Sequence, residues 1–293
     1  MVARKTAGSR AFDCFNYFIL ALLMFITLYP FLYVVFASFS EASKMEVFTG
    51  ALWRPLGFST EAYKAVFQNP SIWSGYRNTL FLVVVGTALN LFFTSLAAYV
   101  LSRKTFAYRR PITLFIVFTM FFGGGLIPTY LLVQDLGLID SLWSCILPGL
   151  VSTYNFLIMR TFFEGIPASL EESAKLDGAN DFLILFRIIL PLSGPIIAVM
   201  VLFFGVGHWN QWFNAMIYLQ DEQKYPLQLV LRQILLANST DSMLGDTMDA
   251  DKAAVGETIK YATIIVATVP ILCVYPFLQK YFVKGVMIGA IKG

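Results

Sequence analysis

The sequence predicts an all-α polytopic membrane protein with six transmembrane helices. Of its 293 residues, 58% are apolar and 13% carry charge, and the mean hydropathy is +0.70. A soluble domain carries about 25% charged residues. The charges are also clustered: no Asp, Glu, Lys or Arg occurs in 14–40, 78–102, 111–134, 141–159, 188–220 or 261–279. A hydrocarbon core ~30 Å thick takes about 20 mostly apolar residues as a helix, so each gap holds one span.

The first span is placed at 15–38. Arg4, Lys5 and Arg10 give it a basic front. Its apolar run reaches Phe39, beyond the ~7–15 residues of a signal core, and no clear small-x-small cleavage site follows. It reads as a retained span. Residues 40–77 form a long loop carrying Trp53, Pro55, Phe58, Tyr63, Phe67 and Trp73. The second span, 79–101, leads into the basic loop 102–110. The third, 112–133, contains Gly123-Gly124-Gly125 and then Pro128, which reads as close helix packing or a helix break, ahead of a gating hinge. The fourth span is 141–160, and a charged loop at 161–187 follows. The fifth is 185–206. Its gap exceeds what a span needs, so part of 207–220 leaves the bilayer or lies on its surface. The segment 207–258 carries Asp241, Asp246, Asp249, Asp251 and Glu257 and a candidate helix at 227–237. The sixth span is 259–281.

Orientation follows from Lys and Arg. With the N-terminus inside, 13 of the 21 cations fall inside and 8 outside. The short loop 102–110 contributes Arg103, Lys104, Arg109 and Arg110, whereas 134–140 holds only Asp135 and Asp140. Both termini and the 161–187 loop are therefore expected in the cytoplasm. The net charge of +3 needs no nucleic-acid partner, because membrane insertion already requires basic residues beside the spans.

Within 161–187, Pro167 is suited to start a helix, Ser169 through Leu176 to continue it, and Gly178 to end it in a left-handed cap. A helix this charged lies outside hydrocarbon and is free to meet a partner. The next helix begins near Asp181 and enters the membrane.

Catalytic chemistry is sparse. No phosphate loop, His-Glu-x-x-His or Gly-x-Ser-x-Gly occurs, and Gly205-Val-Gly207 lacks a third glycine at dinucleotide spacing. Cys14, Cys145 and Cys273 are scattered beside or in spans and read as free thiols. His208 is the only histidine and reads as an interfacial hydrogen-bonding residue rather than a metal ligand. The span centres lack ionisable groups, which weighs against an ion-coupled carrier. In His208-Trp209-Asn210-Gln211-Trp212-Phe213-Asn214, flat aromatics and amides suit sugars, with rings on C–H faces and amides on hydroxyls. An aromatic belt at the membrane interface is the slightly better account of Trp209 and Trp212, but it explains Asn210 and Gln211 poorly.

Glu172-Ser173-Ala174-Lys175-Leu176-Asp177-Gly178, then nine residues, then Ile188-Ile189-Leu190-Pro191, resembles the EAA loop of ABC importer permeases, with Ser173 replacing the first Ala. The resemblance covers about 75–282. Trp209-Asn210-Gln211-Trp212, Tyr225-Pro226-Leu227 and the ending Gly285 to Gly293 are similar to the carbohydrate-uptake branch, in particular maltose-type second permeases (the G subunit) and relatives for oligosaccharides and uronate glycans such as alginate. It implies a type I importer permease fold in a bacterial inner membrane: residues 1–74 as N-terminal segment, first span and first outer loop, 75–282 as permease core, 283–293 as cytoplasmic tail. It implies a pore subunit rather than an enzyme, paired with a sister permease, two ATPase subunits that bind ATP and Mg, and an extracytoplasmic solute-binding protein. Glu171, Glu172, Ser173, Ala174, Asp177 and Gly178 would couple to the ATPase. Gly289, Lys292 and Gly293 would reach it through the tail. Trp209, Asn210, Gln211 and Trp212 would lie on a substrate pathway, although in such systems the sister subunit holds most of the sugar. The alternatives are a stand-alone secondary carrier or channel, which predicts a charged group in the pore, and a membrane-embedded enzyme, for which no catalytic cluster exists.

Overall fold

The computed structural model describes residues 7–244, 256–274 and 276, and every regular element among them is helical. The chain divides into two compact units, 1–69 with 233–268 and 70–232 with 269–293.

The first unit opens with α1 (Ala7–Ser38), whose exposed Phe12, Phe15, Phe18 and Phe25 suit a lipid-facing helix. The following loop, with α2 (Ala42–Val47) and α3 (Glu61–Gln68), folds back on the end of α1. Leu52 N–H donates to the Tyr29 hydroxyl at 2.9 Å and Leu56 N–H to Ser40 Oγ at 3.0 Å. The Ser38 and Tyr63 hydroxyls lie 2.8 Å apart. Trp53 stacks on Phe25 and Phe58 on Phe39. These aromatic residues of the loop thus serve to hold it down.

The second unit begins with α4 (Pro70–Ser102), a 33-residue helix. It starts ahead of the expected second span because Pro70 initiates it and its first turns carry polar residues. A π turn at Leu82–Gly86 interrupts its regular winding. The third span is not a single helix. It is split into α5 (Arg109–Phe121) and α6 (Leu126–Asp135), bent by 113°. Gly125, at φ +89°, makes the turn, so of the two readings of the triple glycine the helix break is the one adopted. The fourth span is also irregular. Short 3₁₀ turns at Leu142–Cys145 and Leu147–Gly149 precede α7 (Thr153–Glu164) with a 50° bend. Next come α8 (Ala168–Leu176) and then α9 (Asp181–Leu192), which meets α10 (Gly194–Trp209) at 87°. Pro195 has no N–H for the Pro191 carbonyl, so the helix ladder fails there. The helices α11 (Phe213–Tyr218), α12 (Leu227–Leu244) and α13 (Gly256–Val274) complete the order.

Among the described residues, three helices are long and apolar enough to cross a membrane, and six spans result if each bent pair is one. The sixth expected span is described to Val274, and Asp246, Asp249, Asp251, Gly289, Lys292 and Gly293 lie outside the described residues.

Lipid tails are as apolar as the side chains, so close packing and internal hydrogen bonds, not water exclusion, hold such helices together. The main core joins Ala98 and Tyr99 of α4, Phe156, Met159 and Phe163 of α7, Ile184 and Ile189 of α9, and Met200 and Phe204 of α10. Ala174 of α8 belongs to it, which seats that helix on the bundle.

Candidate functional site

Two sites stand out in the second unit. The first is an open cavity of about 400 Å³ where the broken fourth span faces the end of α10. The break leaves carbonyls without helical partners, and in a membrane those must be satisfied internally. Asn90 of α4 donates through Nδ2 to the carbonyls of Gly149 (3.0 Å) and Leu150 (2.8 Å). Gln211 Nε2 donates to the Cys145 carbonyl at 2.8 Å. Because its amide N–H groups are spent, Asn90 presents Oδ1 to His208 Nε2, which donates to it at 2.7 Å. His208 Nδ1 lies 3.2 Å from Gln211 Oε1. His208 can approach only because residue 86 is glycine: a Cβ there would lie 2.4 Å from Nε2.

Asn90, His208 and Gln211 therefore form a frame that is already hydrogen-bonded. Asn155, Asn210 and Asn214 also line the cavity, and among the described residues their side-chain amides make no hydrogen bond. Trp212 and Phe213 stand beside them, edge to face at 5.5 Å, with Arg232 4.3 Å above the Trp212 ring. Among the described residues, no Asp or Glu lines the cavity. The arrangement offers free amides for hydroxyls and aromatic surface for C–H faces.

Of the expected pathway residues, Asn210, Gln211 and Trp212 come together here, and Trp209 does not. Trp209 is buried against Tyr76 and lines a separate apolar cavity of about 440 Å³ with Leu80, Val83 and Val206. Its indole N–H finds no partner among the described residues. Sequence reasoning missed Asn90 and Asn155. Their signal was available, as amides inside charge-free stretches where polar groups are costly and purposeful.

One end of this unit is tied by Asp140, at φ +57°. Its carboxylate accepts from Lys224 Nζ (2.6 Å) and from the N–H groups of Gln220 and Asp221 (3.0 Å each). The Lys224 hydrogen bond, with those backbone N–H groups, lowers its pKa to about 2. Nearby, Asn78 donates to the carbonyls of Gln223 and Tyr225, and Thr79 accepts from Leu227 N–H.

The second site is α8. Pro167 precedes the first helical residue, and Gly178, at φ +82°, closes the helix. Ala179 N–H bonds the Ala174 carbonyl at 2.9 Å and Gly178 N–H that of Lys175 at 3.0 Å, the double bond of a Schellman cap. Asn180 then caps α9 by accepting from Leu183 N–H. The two adjacent glutamates part company. Glu171 is buried and ion-paired with Arg103, which also lies 4.3 Å from the Tyr99 ring centre. Glu172, Ser173, Asp177 and Gly178 are exposed, as is Leu176 at 89%. Ala174 faces the core. A cavity of about 530 Å³ opens between α8 and the ends of α4 and α7.

Comparison with known proteins gives these features a setting. Residues 94–288 match the family model described as binding-protein-dependent transport system inner membrane component. The polygalacturonan/rhamnogalacturonan transport system permease protein YtcP of Bacillus subtilis (strain 168) is 44% identical, over 97% of this chain and 99% of that one. Protein LplC of the same organism is 42% identical, over 99% and 97%. A solved structure of a bacterial ABC transporter involved in the import of the acidic polysaccharide alginate matches 96% of this chain and 100% of its own, at 32% identity and a TM-score of 0.86. The all-helical fold, the six-span pattern and these relatives lead to one assignment: the chain belongs to the inner-membrane components of binding-protein-dependent transport systems, as a multi-pass permease subunit of the carbohydrate ABC importers and not an enzyme.

Proposed function

We propose that this chain forms half of the translocation path for an acidic oligosaccharide, released into it by a solute-binding protein. It pairs with a sister permease. Both termini and α8 are cytoplasmic, 1–74 precedes a permease core at 75–282, and the 283–293 tail, with Gly289, Lys292 and Gly293, reaches the ATPase. Two ATPase subunits bind ATP and Mg²⁺. Glu172, Ser173, Asp177 and Gly178 form the docking face of α8, and Glu172 pairs with a cation of the ATPase.

The observation that carries the substrate reading is the cavity, with its uncommitted Asn155, Asn210 and Asn214 beside Trp212 and Phe213. Hydroxyl-rich rings need that combination of amide donors, amide acceptors and flat apolar surface. An anionic sugar meets no carboxylate there among the described residues. The relatives' polygalacturonan, rhamnogalacturonan and alginate are the nearest guide to the glycan. The test is uptake of labelled oligogalacturonides and oligoalginates by cells carrying or lacking the gene. Loss of acidic-oligosaccharide uptake on deletion, with restoration on complementation, is expected. Unchanged uptake of both, with loss of a neutral oligosaccharide, would refute the acidic assignment.

A further inference from the structure

Glu171 and Glu172 are neighbours on α8 but point about 100° apart on a helix of 3.6 residues per turn. Only Glu172 is free to meet a partner subunit. Glu171 is spent inside the chain, on Arg103, at the residue that ends α4. The pair is largely shielded, with side-chain exposures of 17% for Arg103 and 10% for Glu171. Shielding keeps salt from screening it and makes each charge depend on the other. Arg160 of α7 adds a second tie, donating to the Leu101 carbonyl at 2.9 Å.

The other half of the same helix holds the cavity frame. Asn90 lies thirteen residues before Arg103, or ~20 Å at 1.5 Å per residue. It is bonded to Gly149, Leu150 and His208. The helix between them, Thr87–Ser102, is regular.

We propose that the Arg103–Glu171 pair is the strut through which movement of α8 reaches α4 and, along it, the Asn90 frame of the cavity. Both are positioning residues. Neither touches the transported solute, and Glu171 does not dock the ATPase. The inference rests on the reading of α8 as the coupling helix. Docking through Glu172 and transmission through Glu171 are then separable functions of one turn of helix.

The test uses the assembled transporter in proteoliposomes, with binding protein and ATP. Glu171→Gln should leave the ATPase subunits bound on purification and leave ATP hydrolysis running. Uptake per ATP should fall about tenfold or more, within the roughly 5- to 150-fold range of couplings between sites. The exchanged pair, Arg103→Glu with Glu171→Arg, should regain most of the uptake that either half of the exchange loses alone. In a background without native cysteines, Arg103→Cys with Glu171→Cys should transport when joined by a short thiol cross-linker and fail after its reduction. That comparison uses one preparation, so a folding defect cannot mimic it. Wild-type uptake by Glu171→Gln would overturn the proposal. So would loss of the bound ATPase in that variant, or equal transport by the joined and reduced cysteine pair. If the wild-type complex itself showed no binding-protein-dependent uptake, the functional reading would fail instead.

Discussion

Replacing Gly86 by Ala tests how the cavity is framed. The new methyl would lie 2.4 Å from His208 Nε2, 2.7 Å from Cε1 and 2.9 Å from Cδ2. No Cβ tolerates three such contacts, so the imidazole must swing away. Forcing a methyl into a packed site costs about 1–3 kcal/mol. The displaced ring abandons Asn90 Oδ1, whose residue is 1% exposed, and an orphaned buried acceptor costs about 1–3 kcal/mol more. Removing a helical glycine returns up to about 1 kcal/mol. The net expectation is a loss of about 1–6 kcal/mol. Thermal unfolding of the detergent-solubilised complex is the assay. Gly205→Ala, whose methyl would meet only Thr87 Oγ1 at an ordinary 3.8 Å, is the control and should be neutral or stabilising. His208→Ala removes the obstacle, so adding Gly86→Ala to it should cost far less than in the wild type. Additive losses in that cycle would show that the two residues do not collide and would refute the framing.

The cavity residues should divide by role: Asn210→Ala and Asn155→Ala lower uptake while binding-protein-stimulated ATP hydrolysis and unfolding temperature hold, whereas Gln211→Ala orphans the Cys145 carbonyl and lowers the unfolding temperature as well. Glu172→Ala should release the ATPase on purification, since truncating one partner of a desolvated, hydrogen-bonded pair costs about 2–5 kcal/mol, and retained ATPase with normal uptake would show that Glu172 is only solvated. Gly178 has open space around its missing Cβ within this chain, so what constrains the residue here is its backbone angle: Gly178→Asn should transport and Gly178→Val should not, a β-branched residue being strained in that region. Asp140 has a folded pKa of about 2 against the ordinary 3.8, so its contribution to stability is present above pH 3.8 and is lost as the pH falls toward 2. Amide-exchange protection in 219–225, taken relative to the intrinsic rate at each pH, should fall across that window, and Asp140→Asn should be weakly protected at every pH.

The charge-free gaps located all six apolar regions because hydrocarbon imposes length and composition directly. They were blind to bends. A gap reads the same whether its helix is straight or turned by 113° at Gly125 or 87° at Ser193, since the inserted backbone is irregular only where neighbouring protein satisfies it. The α8 helix was legible because its start, its charges and its left-handed Gly178 cap are all local. Its internal anchor was not: Arg103 and Glu171 are 68 residues apart, and nothing local distinguishes Glu171 from Glu172. Trp209 and Trp212 show the same limit. Three positions apart, they face different cavities because the helix ends between them.

The most direct test of the account is transport by the purified complex in sealed proteoliposomes. Permease pair, ATPase and binding protein should import an acidic oligosaccharide only when ATP is hydrolysed. A non-hydrolysable analogue, omission of the binding protein, or Glu172→Ala should each abolish import. Import by this chain without ATPase or ATP, driven by a solute or ion gradient, would contradict it and establish a stand-alone carrier.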